Sequence, residues 1–312
     1  MYYSFDKNIE PSFCVKPGEL LKIKTEDAAS GYIKKNIKSS DIPNLPYYKY
    51  NPIKANPING PIFVEGAKKG DLLVVQIKKI DVSDIGWSIF QRSGPLGDSY
   101  KWPKCRGPYL QWIKHNKEEG FSEINGQKMW RLSPMIGTIG VAPEREVFSS
   151  ALGQGSWGGN VDCRDIKEGT AVYFNCYNDG GLLFIGDVHA SQGDTEFTGA
   201  ADETAAEVTI SCDIIKNKEI PFFRLETEDK LISLYCARPL ERAVEKAILN
   251  LMSWLVEDYE IDERVAYLYT SINPSFRINV YQMADFEGIK FTVGAELPKK
   301  YATNKLNLEV NK

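Results

Sequence analysis

The chain has 312 residues, 43% hydrophobic and 26% charged, enough apolar material for one large domain or two ordinary ones. Its formal charge is −4, from 38 basic and 42 acidic side chains with no Lys/Arg run, which argues against a nucleic-acid partner. The longest apolar runs are about six residues, far short of the ~20 that cross a bilayer.

Residues 1–7 carry no apolar segment of the kind a secretory signal needs. The six cysteines (Cys14, Cys105, Cys163, Cys176, Cys212 and Cys236) are scattered, with no C-x-x-C. That is neither a zinc-knuckle spacing nor a dense disulfide frame. A soluble, reduced, cytoplasmic protein with no membrane partner is expected.

In chain order, 20–25 reads as a strand closed by Thr25-Glu26-Asp27, whose acids read as a solvated turn. Residues 30–59 are rich in proline and asparagine and predict a long loop. Gly60-Pro61-Ile62-Phe63-Val64-Glu65-Gly66 is a short strand ending on one carboxylate. Residues 72–80 form a second strand, and Lys68-Lys69-Gly70-Asp71 between them predicts a hairpin.

Residues 86–132 are rich in Trp, Gly and Pro, including 94–97 and 101–103. They predict a meandering region with short strands that walls a pocket. His115 lies there among charged neighbours and is expected on the surface. In 133–143 small and apolar residues alternate between prolines, a pattern that packs tightly and can offer backbone N–H groups.

The region 153–207 holds ten glycines and His189, one of two histidines in the chain. Strands are predicted at 171–176, at 182–185 and at 206–215, with Asn178-Asp179-Gly180-Gly181 as a turn. If the middle strand continues through Gly186-Asp187-Val188-His189, period two puts Asp187 and His189 on one face. Beyond 216, Pro239 opens an amphipathic helix through about 255. Asp262 caps a second helix, and strands close the chain at 277–282 and 289–293. The expected architecture is mainly β: a β-sandwich-like body over 1–215 and a smaller α+β part over 216–312.

Asp162, Asp165, Asp202, Glu203 and Glu207 flank His189. A histidine with two or three carboxylates suits a divalent ion such as zinc or manganese. Such an ion lowers the pKa of its water to about 7. Glu65, an acid beside Gly66 at a strand end, is the natural proton relay. Backbone N–H groups of the glycine-rich turns could stabilise an oxyanion. Taken by themselves, the same acids also read as ordinary turn and surface residues. Cys163 reads as a small buried residue or as the nucleophile of a Cys–Glu–Lys amidase. No H-E-x-x-H and no Gly-x-Ser-x-Gly is present.

Five blocks in order resemble the acetamidase/formamidase family. They are Gly60 to Asp71; Gly137-Thr138-Ile139-Gly140-Val141-Ala142-Pro143; Gly158-Gly159-Asn160-Val161-Asp162-Cys163-Arg164-Asp165; Gly186 to Asp194; and Ala206-Glu207-Val208-Thr209. Thr25-Glu26-Asp27 fits an early family motif as well. The resemblance implies hydrolysis of short linear amides, formamide or acetamide, to a carboxylate and ammonia. It implies a homodimer or higher homo-oligomer and a divalent metal, zinc first and calcium second, whose bound water is the nucleophile. Carried over, the ligands are Asp162, Asp187 and His189, with Glu203 fourth; Glu65 is the acid/base, and Asp187 also counts as catalytic. Cys163, Ser191 and Trp157 depart from the pattern, and 86–132 matches poorly, which leaves the substrate open. The competing reading is a non-catalytic β-sandwich that binds a small ligand or sugar through a structural cation, for which calcium would suit carboxylate oxygens.

Overall fold

A computed structural model describes residues 1–45, 49–50, 53–90, 107–286 and 288–303. The Gly/Pro segments at 94–97 and 101–103, together with Cys105, lie outside the described residues.

Two largely antiparallel sheets pack face to face. At the heart of the first, Leu183–His189 pairs with Met135–Val141 on one side and with Ile58–Val64 and Glu203–Thr204 on the other. Both central strands are buried at every position, the polar Thr138, Asp187 and His189 included. The sheet continues from Glu203–Thr204 through Ile85–Phe90, Tyr109–Asn116, Phe121–Ile124 and Gln127–Arg131. The predicted meander at 86–132 is therefore mostly ordered strand where it is described.

The second sheet runs Arg277–Gln282, Phe291–Pro298, Lys230–Ala237, Arg224–Glu226, Ala171–Asn175, Leu72–Val82, Ala206–Ile215, Leu20–Thr25. Strands from both sides of residue 215 share it. Ile62, Ile139 and Ile185 from the first sheet meet Val75, Phe174 and Ile210 from the second in one core. A further core forms where Ala243, Ala247, Leu251 and Trp254 of helix Leu240–Tyr259 pack on Leu231, Ala295 and Leu297. Pro239 caps that helix, and the Asp262 side chain accepts the Arg264 N–H at the start of Glu263–Ser271, as the caps predicted. No described helix is long and apolar enough to cross a membrane.

The hairpin expected at 68–71 does not form. Ile58–Val64 belongs to the first sheet and Leu72–Val82 to the second. Both strands carry apolar runs that need a core, and crossing between layers buries each against the other. The long loop expected at 30–59 carries the 3-10 turn Ser39–Asn44 and gives way to strand at Ile58.

One buried ion pair anchors the helical layer. Arg224, 6% exposed, donates to Asp258 and lies 4.1 Å from the Trp254 ring centre. Lys218 joins Asp258 at 2.7 Å. Burial opposes the Asp258 carboxylate, yet Lys218 and Arg224 hold its pKa below the usual 3.8. Stripping one partner from a buried pair costs about 3–5 kcal/mol. Asp258→Asn should cost about 2 kcal/mol, below that range because Asp258 still touches solvent. Urea unfolding near neutral pH checks the loss. A carboxylate with a depressed folded pKa stabilises above its unfolded pKa and loses that contribution as pH falls through the folded value. The gap between wild type and variant should therefore close as pH drops below about 3.8.

Candidate active site

Strand register sets His189 opposite Glu203, and Glu203 opposite Trp87. Cross-strand partners stand about 5 Å apart on one face, so the three side chains form a row. Asp187, two residues before His189, shares that face, as period two predicts. Asp162 arrives from the turn after Gly158–Asn160, its N–H donating to Gly137 O at 3.1 Å. Asp162 and Asp187 both adopt left-handed backbone, at φ 44° and 56°. Such conformations cost about 1–3 kcal/mol each in non-glycine residues and collect at functional sites.

Gln192 fixes the tautomer of His189. Its Nε2 donates to the carbonyls of Asp162 (2.6 Å) and Tyr281 (3.1 Å). Its Oε1 is thereby committed to His189 Nδ1, 2.9 Å away, which must carry the proton. His189 Nε2 then faces Asp187 Oδ1 at 3.5 Å and Glu203 Oε2 at 3.4 Å. A lone pair looking at two anionic oxygens is repulsive unless a proton or a cation lies among them.

Four buried carboxylate oxygens (Asp162 Oδ1, Asp187 Oδ1, Glu196 Oε2 and Glu203 Oε2) have no hydrogen-bond partner. In three of these acids the other oxygen is held. Asp187 Oδ2 accepts from Asn56 Nδ2 (2.6 Å) and Thr138 Oγ1 (3.0 Å), Glu203 Oε1 from Ala201 N–H (3.0 Å), and Asp162 Oδ2 from Gln282 Nε2 (3.3 Å). Ligand atoms of Asp162, His189 and Glu196 lie within 4.8 Å of one another, as do those of Asp187, His189 and Glu203. Among the described residues no Lys or Arg lines the cavity that these groups share.

Burial raises the pKa of Asp162, and the neighbouring Asp187 adds to the effect. Glu196 is raised well above its usual value by burial and by Asp162, and Glu203 is raised by burial. Burial works against a charged His189, but Glu203 and Asp187 override it and lift its pKa well above normal. Buried acids around an imidazole are the donor set a divalent cation takes, once it displaces the proton from Nε2.

Of the expected residues, Asp162, Asp187, His189 and Glu203 converge. Glu65 does not: it is exposed in the turn after Ile58–Val64, with Cys14 Sγ 3.9 Å from its Oε1. Ile58 pairs with Gly186 beside the site. Seven residues onward, at ~3.3 Å each, the strand has carried Glu65 about 20 Å away. Its place among the acids is taken by Glu196, in the loop between His189 and Glu203. That loop is acidic and glycine-bounded in sequence, but nothing periodic points Glu196 inward.

His115 is not on the surface. It is 3% exposed, with Nδ1 donating to Ser83 O (2.6 Å) and Nε2 3.1 Å from Asp202 Oδ1. Burial pushes its pKa down, but Asp202 prevails and the pKa is raised. Ser122 and Ser191 donate to the other Asp202 oxygen at 3.2 and 3.4 Å. This closed network braces the backbone one residue before Glu203. Asp27 is buried too, accepting the N–H groups of Ala29 (2.9 Å) and Gly31 (3.0 Å) rather than facing water. Asp165 accepts from Tyr281 and Glu207 pairs with Lys22, both outside the cluster. Cys163 is fully buried, and burial drives its thiol well above the ordinary range. It is a packing residue, as the plainer of its two sequence readings has it.

Gly137 forms part of the floor. A Cβ there would lie 2.7 Å from Asp162 Oδ1, 2.8 Å from Asp187 Oδ2 and 3.0 Å from Asp187 O. Gly137→Ala should push the two carboxylates apart. Disturbing the groups that orient metal ligands typically costs about 10–100-fold in metal affinity or activity. A loss of that order is expected, with the circular dichroism spectrum retained.

A family profile described as Acetamidase/Formamidase family matches residues 2–153 and 151–227. A putative formamidase of Schizosaccharomyces pombe is 24% identical over 259 residues, covering 65% of this chain and 61% of its own length. The chain spans about three fifths of the length of the curated relatives it matches. An acetamidase crystal structure from Yersinia enterocolitica shares 30% identity over 97% of this chain and 90% of its own, at a TM-score of 0.83. One from Bacillus halodurans shares 27% over 96% and 95%, also at 0.83.

Proposed function

The chain belongs to the acetamidase/formamidase family, and from that premise we propose that it hydrolyses the C–N bond of linear amides to a carboxylate and ammonia with the help of a divalent cation. The observation that carries the reading is His189 Nε2, its lone pair turned by Gln192 toward carboxylate oxygens that lack any donor. Asp162, Asp187, His189 and Glu203 would hold the cation. An imidazole in the set favours zinc, since calcium makes little use of histidine.

When bound, the cation supplies Lewis acidity, polarising the amide carbonyl and bringing the pKa of a water toward about 7. The protein's own groups do the rest. Asn56 and Thr138 fix Asp187, and Gln192 fixes the imidazole. Glu196, whose Oε2 faces the cavity without a hydrogen-bond partner, takes the proton of the attacking water. It returns that proton to the amide nitrogen as the C–N bond breaks, and ammonia leaves. Gln282 Oε1, a buried acceptor without a partner, faces the same cavity and can accept from the amide NH2.

Ammonia release from formamide should fall at least about tenfold after dialysis against a chelator, given the 10–100-fold typical of weakened metal sites. Zinc should restore it and calcium should not. Full activity in metal-free protein would sink the cation. Calcium at full occupancy with no ammonia from any amide would favour the binding module instead. A homodimer or larger assembly is also part of the proposal. Light scattering that finds only monomer at micromolar concentration would remove it.

A further inference from the structure

Formamide and acetamide fill little of this site. Each takes the space of about two or three waters, on the order of 100 Å³ at ~30 Å³ per water. The cavity measures about 580 Å³, within the 300–1,000 Å³ range of sites that enclose drug-sized molecules. Its chemistry is gathered in one region. Elsewhere the wall is apolar, formed by Trp87, Ile89, Leu152, Ala284, Phe286 and Ile289.

The apolar wall begins beside the chemistry, because Trp87 stands directly across from Glu203. It is backed by packing: Trp87 and Ile89 share a buried cluster with Ile33, Ile42 and Leu110. Phe286 is seated on Gly199, where a Cβ would lie 2.1 Å from the ring. With no Lys or Arg in the lining among the described residues, nothing there would neutralise an acyl group ending in a carboxylate.

The polar region selects the amide end. Glu196 Oε2 and Gln282 Oε1 are both buried acceptors without donors. An unsubstituted amide nitrogen brings two N–H donors, whereas an N-alkyl amide brings one. Unmet buried acceptors are costly, about 1–3 kcal/mol each in general.

Resting on the hydrolase reading above, we propose that the preferred substrates are primary amides with an apolar acyl group of about five to eight carbons, the chain or ring lying against the wall of Trp87, Ile89 and Phe286. The test measures kcat/KM for formamide, acetamide, butanamide, hexanamide and phenylacetamide on the protein as purified, by ammonia release. Burial of each methylene should raise kcat/KM about fourfold, so hexanamide should exceed acetamide by more than about 100-fold. In Phe286→Ala the hexanamide-to-acetamide ratio should drop about tenfold, from the lost contact. Ammonia from formamide with values that stay flat or fall along the series would overturn the acyl-group proposal and leave the hydrolase reading intact. Ammonia from no amide would overturn both. N-hexylacetamide, followed by release of acetate, turning over faster than hexanamide, or an unchanged ratio in Phe286→Ala, would also overturn it.

Discussion

His189→Ala is expected to abolish cation binding and amide hydrolysis together. The imidazole is the one nitrogen that both candidate ligand groups share. Without it the carboxylates of Asp162, Asp187, Glu196 and Glu203 are left facing one another in a buried pocket. Those acids can then relieve their repulsion by taking up protons, and their affinity for a soft or borderline ion falls. Loss of a group that only hydrogen-bonds to and orients a ligand costs about 10–100-fold, so removal of the ligand itself should exceed about 100-fold in metal affinity. Metal content by elemental analysis and ammonia release from formamide should fall in parallel. Gln192→Ala is the graded companion. It leaves the imidazole in place but frees its orientation and tautomer, and a loss of about 10–100-fold is expected. Full metal stoichiometry in His189→Ala would remove His189 from the site.

Glu196→Gln should separate proton transfer from binding. The substitution keeps the side chain's size and removes its ability to take a proton from water. General acid–base groups typically contribute about 10²–10⁴-fold, and a fall in kcat of that order is expected. Metal content should hold, because Asp187, His189 and Glu203 remain as a complete group. KM should change far less than kcat, since the group acts in the transition state. Loss of the metal would make Glu196 a ligand, and unchanged turnover would remove it from the reaction. Glu65→Gln serves as the contrast. On its exposed turn, it should leave turnover within about twofold, since surface changes away from such features have small effects.

Much of the fold could be read locally. Strands 20–25, 206–215 and 277–282 match those observed, as do the Pro239 and Asp262 helix starts. Each carries its own signal in side-chain period or capping chemistry. The hairpin at 68–71 failed for the opposite reason. A tight turn between two apolar runs looks the same whether the strands pair with each other or pass into different layers. His115 misled because charge beside it in sequence says nothing of Asp202, 87 residues away, which receives it.

The sequence by itself determined that Asp187 and His189 share a face, because alternation along a strand is a property of the backbone alone. Only the tertiary structure decided which acids would join them. Register across three strands brought Glu203 beside His189, and a loop fold brought in Glu196. The length of one strand carried Glu65 away. Such choices depend on contacts between residues far apart in the chain, and on the burial that makes an unpaired carboxylate costly enough to need a partner.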